Sequence, residues 1–170
     1  MTIKIKSSAE VLLDAEHRCE DSGVKLTNRR RQVLNALLQE DRALSAYELM
    51  EVCNRESNEP MPAMSVYRIL SFLEEQSLAH KLSSANKYVA CSHITCAHQH
   101  YRRPQFLICN DCTKVQEVEV SSEALVAMEQ VAETAGFHLE SRQLELSGIC
   151  NDCRNSCLLY TSPSPRDVEE

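Results

Sequence analysis

Hydrophobic positions recur at three- and four-residue intervals through the first half of the chain. Val11, Leu12, Ala15 and Cys19 fall on one helical face, Ser7 with Glu10 has the form of a capping box ahead of them, and Gly23 is a stop. Thr27 opens a second helix in which Val33, Leu34, Leu37 and Leu38 share a face. Ser45 and Glu48 repeat the capping-box pattern before a third, running through Tyr47, Leu49, Met50, Val52 and Cys53. A polar connection with Pro60 and Pro62 follows. The spacing then predicts a fourth helix from about Met64 to Gln76, with Val66, Ile69, Leu70 and Leu73 inward and Tyr67, Arg68 and Ser71 on other faces.

Beyond that point the period changes from helical to alternating. AHKL and KYVAC flank the turn-like SSAN and read as a hairpin. With SSAN as the loop, His80 opposes Val89 and becomes a diagonal neighbour of Cys91 on the same face. Helices followed by a hairpin specify a winged helix, whose fourth helix enters the major groove, where Arg68 can bond guanine O6 and N7. QFLIC and KVQEVEV then read as strands. SSEALVAMEQVAETAG reads as a helix with Leu125, Met128, Val131, Ala132 and Ala135 inward and Gly136 at its end, and FHLESRQLELSGIC supplies a further strand. The expected class is α+β.

A chain of 170 residues holds one medium domain or two small ones, and 43% hydrophobic content supports a packed core. Three Gly and five Pro exclude a low-complexity chain. No apolar run has the length of a membrane span, and MTIKIKSSAE lacks a signal peptide's apolar stretch, so the expectation is a cytoplasmic protein with no membrane partner. Nine Cys in such a compartment are expected to be reduced, which makes C-x-x-C pairs metal ligands rather than disulfides. A net charge of −7 is unusual for a nucleic-acid binder, so any basic surface must be local. Arg29, Arg30 and Arg31 crowd the first turn of the second helix, where the helix dipole disfavours cations unless an anion such as DNA phosphate is near. A solvated charge run is the alternative.

Cys109-Asn-Asp-Cys112 and Cys150-Asn-Asp-Cys153 are two knuckles able to close a tetrahedral four-thiolate zinc site. The 37 residues between them exceed zinc-ribbon spacing, but a strand, a helix and a strand can return the chain to its start. Four thiolates leave no open coordination position, which assigns this zinc to folding. A redox dithiol is disfavoured because neither pair sits at a strand-to-helix turn. A second cluster falls at the join between the halves: His80 and Cys91 on the hairpin, then His93, Cys96, His98 and His100, and Glu117 beyond the knuckle. One further His and one Glu complete four ligands. A site drawn from both halves fixes their relative orientation when filled, and a thiolate beside imidazole and carboxylate favours zinc over ferrous iron.

The segments KLTNRRRQVL, LSAYELM, SVYRILSFLEEQSLAHKL, YVAC, FLICNDC and SGICNDC resemble the ferric uptake regulator (Fur) family, and within it the zinc uptake regulator (Zur) branch, over about Val11 to Cys153. The resemblance implies a homodimeric winged-helix repressor that binds double-stranded operator DNA when zinc-loaded and controls zinc-uptake genes, with two Zn2+ sites per subunit. Tyr47 and Arg68 match base-contacting positions, and Tyr67, Arg29, Arg30 and Arg31 join them as expected DNA contacts. Cys109, Cys112, Cys150 and Cys153 match structural zinc ligands; His80, Cys91 and Glu117 match the regulatory site. The remaining regulatory histidine falls in a segment a few residues longer here: His100 is the choice, His98 the alternate, and Cys96 and His93 further alternates. Ser141 stands where many members have a histidine of an additional site, so that site is expected to be absent or incomplete, with His138 a partial substitute.

The expected organisation is a winged-helix DNA-binding domain over 1–90, a hinge and metal-binding loop over 91–104, and a small α/β dimerisation and structural-zinc domain over 105–156. CLLYTSPSPRDVEE departs in composition and resembles translated sequencing-adapter read-through, so 157–170 is expected to be a non-native or disordered tail and Cys157 an incidental thiol. An iron- or peroxide-responsive member of the same family is the nearest rival. A zinc storage or transfer protein without DNA affinity would leave Tyr47, Arg68 and the arginine run unexplained. Enzymatic activity is not expected: Glu117 can act as a base, but no H-x-E with P-C-x-x-C accompanies it.

Overall fold

Four helices build the N-terminal half in a computed structural model that describes residues 7–55, 59–95, 104–140 and 143–158. Helix α1 (Ser8–Asp21) begins in the expected capping box: Ser7 Oγ accepts from the Glu10 N–H, and the Ser7 N–H donates to the Glu10 carboxylate. It ends before Gly23, whose φ of +72° only glycine adopts without strain. Helix α2 (Asn28–Leu38) has Thr27 at its N-cap, but the hydroxyl makes no capping bond. Helix α3 (Ala46–Arg55) carries the second capping box, with the Ser45 N–H donating to Glu48 at 2.7 Å. Helix α4 (Ala63–Glu75) buries Val66, Ile69, Leu70, Phe72 and Leu73. These faces meet around Leu34, Leu49, Leu70, Leu73 and Leu78, all fully buried. Burial at this level gives roughly 1.5–3 kcal/mol per large apolar side chain.

Strands β1 (Ala79–Leu82) and β2 (Lys87–Ala90) form the hairpin, with His80 opposite Val89 as the SSAN loop requires. A bridge between Leu44 and Tyr88 ties it to the segment before α3, completing the winged helix.

The C-terminal half is a three-stranded sheet of order β4-β3-β5 with one long helix. Strand β3 (Gln105–Cys109) pairs antiparallel with β4 (Val115–Val118) and parallel with β5 (Leu144–Gly148). The crossover to β5 is α5 (Ser122–Thr134), capped by Ser121 and stopped at Gly136 with φ +79°. A short α6 (Asn151–Leu158) follows, running two residues past 156.

The expectation that Leu125, Met128, Val131, Ala132 and Ala135 of the long helix point inward is corrected. Within one chain α5 buries none of its residues, and Val131 is 70% exposed. Helix α5 does not pack extensively on the sheet of its own chain, and Leu107 and Leu146 on that sheet are exposed as well.

The two halves touch through Phe106, 1% exposed, packed with Ala43 and Leu82. Polar ties reinforce this contact. Glu145 on β5 accepts from the Ser83 and Ser84 N–H groups and the Ser84 hydroxyl at the hairpin turn, while the Gln143 amide donates to the Lys81 carbonyl at 2.8 Å. The Val115 N–H donates to the Asp41 carbonyl at 3.3 Å.

Candidate metal centres and the recognition helix

The two knuckles converge because β3 and β5 are adjacent and in register, Cys109 opposite Gly148. Each C-x-x-C begins where its strand ends. Contrary to expectation, the second does lie at a strand-to-helix turn, between β5 and α6. What sets it apart from a redox pair is that the four sulfur atoms of Cys109, Cys112, Cys150 and Cys153 lie within 4.8 Å of one another. Cys112 Sγ and Cys150 Sγ are 3.7 Å apart. A tetrahedron of thiolates at the usual zinc–sulfur distance has an edge of roughly 3.8 Å, so the sulfur spacing fits zinc.

Backbone N–H groups sharpen the fit. The Cys150 N–H points at Cys109 Sγ at 3.4 Å. Hydrogen bonds from the Cys112, Cys150 and Asp111 backbone lower the Cys109 thiol to about 6. Cys153 moves the other way, raised by its hydrogen bonds to the Cys112 and Cys150 side chains. Four thiols this close ionise together only around a cation, and zinc supplies that charge while displacing protons.

The second group spans the join. His80 comes from β1, Cys91 follows β2, and Glu117 sits on β4, and their ligand atoms also lie within 4.8 Å of one another. All three are sheltered: Cys91 is 2% exposed, and the side chains of His80 and Glu117 are 15% and 9% exposed. The Ser92 N–H and hydroxyl donate to Glu117 Oε2 at 2.9 and 2.7 Å. This leaves Oε1 facing His80 Nε2 at 3.8 Å and His93 Nδ1 at 3.1 Å. Burial pushes the Glu117 carboxyl up, but the two Ser92 bonds, with His80 and His93 beside it, leave it below the usual carboxylate range. A buried, ionised carboxylate beside a thiol and imidazoles fits a divalent cation of zinc's ligand taste.

His93 is therefore next to this cluster, with its Nδ1 3.1 Å from Glu117 and its backbone N–H donating to Cys91 Sγ at 3.4 Å. Cys96, His98 and His100 lie outside the described residues, as do Ser141 and the tail from 159 onward; His138 is described, on the exposed stretch after Gly136. Sequence reasoning missed Ser92, Gln143 and Glu145. A serine after a ligand and a polar pair on a strand have no motif; only the register shows what they hold.

On α4 the exposed positions are Met64, Arg68, Ser71 and Glu75, a single helical stripe. Tyr47 of α3, 59% exposed, stands edge-on to Tyr67 with ring centroids 6.3 Å apart. The three arginines of α2 differ among themselves. Arg30 stacks on the Phe72 ring at 3.5 Å and donates to the Lys25 carbonyl; Arg31 pairs with Glu16; Arg29, half exposed, reaches Glu59 at 3.2 Å. The first two hold α2 against its neighbours.

A winged helix that meets, at a His-Cys-Glu cluster, a small sheet carrying four convergent cysteines defines a protein with two candidate metal centres among its described residues. A family profile, the Ferric uptake regulator family, matches residues 21–147. The Zinc uptake regulation protein of Escherichia coli (strain K12) is 35% identical over 147 residues, 86% of this chain and 83% of that protein. Among solved structures, a zinc uptake regulator complexed with zinc and DNA superposes with a TM-score of 0.76 at 32% identity, covering 90% of this chain and 99% of the other. Holo XcZur gives 0.69 at 32% identity, covering 88% and 99%. The chain belongs to the ferric uptake regulator family.

Proposed function

We propose that this protein is a zinc-responsive transcriptional repressor that binds operator DNA as a homodimer when zinc-loaded. The observation that carries the proposal is the His80, Cys91 and Glu117 cluster, whose ligands come from the winged helix and from the sheet domain. Zinc there joins the two halves, so metal selects one placement of the recognition helix. A coupling of about 1–3 kcal/mol, or roughly 5- to 150-fold in affinity, is usual for such linkage, and DNA tightens zinc by the same factor.

Two zinc ions per subunit are assigned. Cys109, Cys112, Cys150 and Cys153 hold the structural ion; His80, Cys91 and Glu117 hold the regulatory one with His100, or in its place His98, His93 or Cys96. The DNA face consists of Arg68, Tyr47 and Tyr67, with phosphate contact from the α2 turn falling chiefly to Arg29, since Arg30 and Arg31 serve the fold. The homodimer rests on the uncovered apolar face of α5 and the sheet, where Leu107, Met128, Val131, Phe137 and Leu146 are exposed. Residues 1–90 form the reading head and 105–156 the dimerising unit. Similarity to zinc uptake regulation proteins supports zinc-uptake genes as targets and the cytoplasm as the place of action; among the described residues no helix is long and apolar enough to cross a membrane.

Selection from a random duplex library by zinc-loaded and by chelated protein tests this reading. The expected result is a palindromic sequence enriched by the zinc-loaded protein alone. Enrichment of nothing by either form would favour a zinc carrier.

A further inference from the structure

Large apolar side chains on the surface of the winged helix are few. Among the described residues of this half they are Leu13 on α1, Tyr47 on α3 and Met64 on α4, and Met64 is the most exposed at 64%. Two of the three gather at the N-terminal end of α4. Tyr47 stands against Tyr67, and Met64 is one turn before Tyr67 and Arg68 on the same helix. Met64 and Arg68 also lead the exposed stripe that ends at Ser71 and Glu75. Glu75, an acid, is unsuited to the phosphate-lined mouth of a groove, so the N-terminal part of the stripe is the part that suits DNA. Docked helices of this type present their N-terminal residues to base edges.

We propose that Met64 is a specificity-determining residue that packs on the C5-methyl of a thymine next to the base pair read by Arg68. The inference rests on the DNA-binding reading above. The major groove offers four kinds of group to a protein, and the thymine methyl is the one an unbranched thioether side chain recognises. Arg68, one turn further along, supplies the guanine contact, and the helical offset fixes the thymine within one or two base pairs of that guanine. Met64 thus turns a one-base reading into a two-base reading without a further hydrogen bond.

Deoxyuracil keeps thymine's hydrogen-bonding edge and lacks only the methyl, so it isolates the contact. The zinc-loaded full chain and Met64→Ser are each used to select duplexes from a random library. Each thymine of the wild-type consensus is then replaced singly by deoxyuracil, and binding is followed by fluorescence anisotropy. The wild type is expected to select thymine at one position beside a G·C pair and to lose about fourfold in affinity on its replacement, the effect of one buried methyl-sized group. Met64→Ser should bind thymine and uracil duplexes equally and lose that position from its consensus, whereas Met64→Leu should keep most of the discrimination. Zinc content and affinity for a random duplex should stay at wild-type values in both variants. An unchanged thymine-to-uracil ratio in Met64→Ser overturns the proposal while leaving the repressor reading intact. No consensus for the zinc-loaded wild type overturns the repressor reading itself, and this inference with it.

Discussion

Glu117 has two partners on each oxygen: Ser92 twice on Oε2, His80 and His93 on Oε1. That division separates a side chain placed to hold a metal from one that closes the core, and it predicts different outcomes for the two cysteine groups. Cys91→Ser is expected to abolish zinc-dependent DNA binding while circular dichroism and one zinc per subunit are retained. Cys109→Ser should unfold the sheet domain, because structural zinc is worth about 10–16 kcal/mol of apparent binding energy. Equal loss of structure in both would contradict the separation into regulatory and structural ions. Arg68→Ala should cost about 1–3 kcal/mol against the selected duplex, with zinc content unchanged; titration against matched and mismatched duplexes reads this directly.

Among the elements, α3 shows how a cap reaches beyond its own helix. Glu48 closes the capping box on Ser45 and also meets Lys87 of β2 at 3.2 Å. The Ser45 backbone N–H, with the Ser45 hydroxyl and Lys87 behind it, brings Glu48 down to about 2. A depressed carboxylate adds stability that is complete above its ordinary value of 4.5 and is lost as pH falls toward 2. Glu48→Gln keeps a capping side chain but removes the charge, so denaturant unfolding should show roughly 0.5–1 kcal/mol of destabilisation near neutral pH, after discounting for partial exposure. The gap between variant and wild type should close between about pH 4.5 and 2. A gap that persists unchanged at low pH would mean the charge is not its source.

This capping box, the four N-terminal helices and the hairpin register were legible in the sequence, because each is set by neighbours a few residues apart. The hairpin is the clearest case: one loop assignment placed His80 opposite Val89. The four cysteines were legible by spacing, and the parallel β3–β5 pairing explains how knuckles 37 residues apart can meet. What escaped the sequence depends on long-range register. Ser92 and Glu145 are ordinary polar residues until β4 and β5 bring them to Glu117 and to the hairpin turn. Thr27 looked like a side-chain cap and is only a positional one. The inward face assigned to α5 is not formed within one chain: Leu125 and Ala132 are half-buried, whereas Met128, Val131 and Ala135 are exposed.

At the scale of the whole molecule, the uncovered face of α5 lies on the same small sheet domain that supplies Glu117 to the cluster at the join. On the proposed reading a second copy covers the apolar surface of α5 and the sheet, and two copies place two reading heads in a fixed relation only when each head is tied to its sheet. Val131→Glu, at a position 70% exposed in the single chain, is expected to give monomers by light scattering and to weaken operator binding by at least about a hundredfold, since one half-site alone is then held. A dimer that survives this change would move the interface elsewhere. The domain contact through Phe106 and the Glu145 tie at the hairpin turn hold the two halves together on either side of the His80, Cys91 and Glu117 cluster.

The decisive measurement is a metal titration of protein carrying only its tightly held structural zinc, mixed with the selected duplex under anaerobic conditions and followed by anisotropy. Added zinc should produce DNA binding that saturates at one further equivalent per subunit, ferrous iron should not, and Cys91→Ser should stay unbound throughout. Binding restored by iron alone, or DNA affinity indifferent to the second equivalent of zinc, would contradict a zinc switch at the join between the domains.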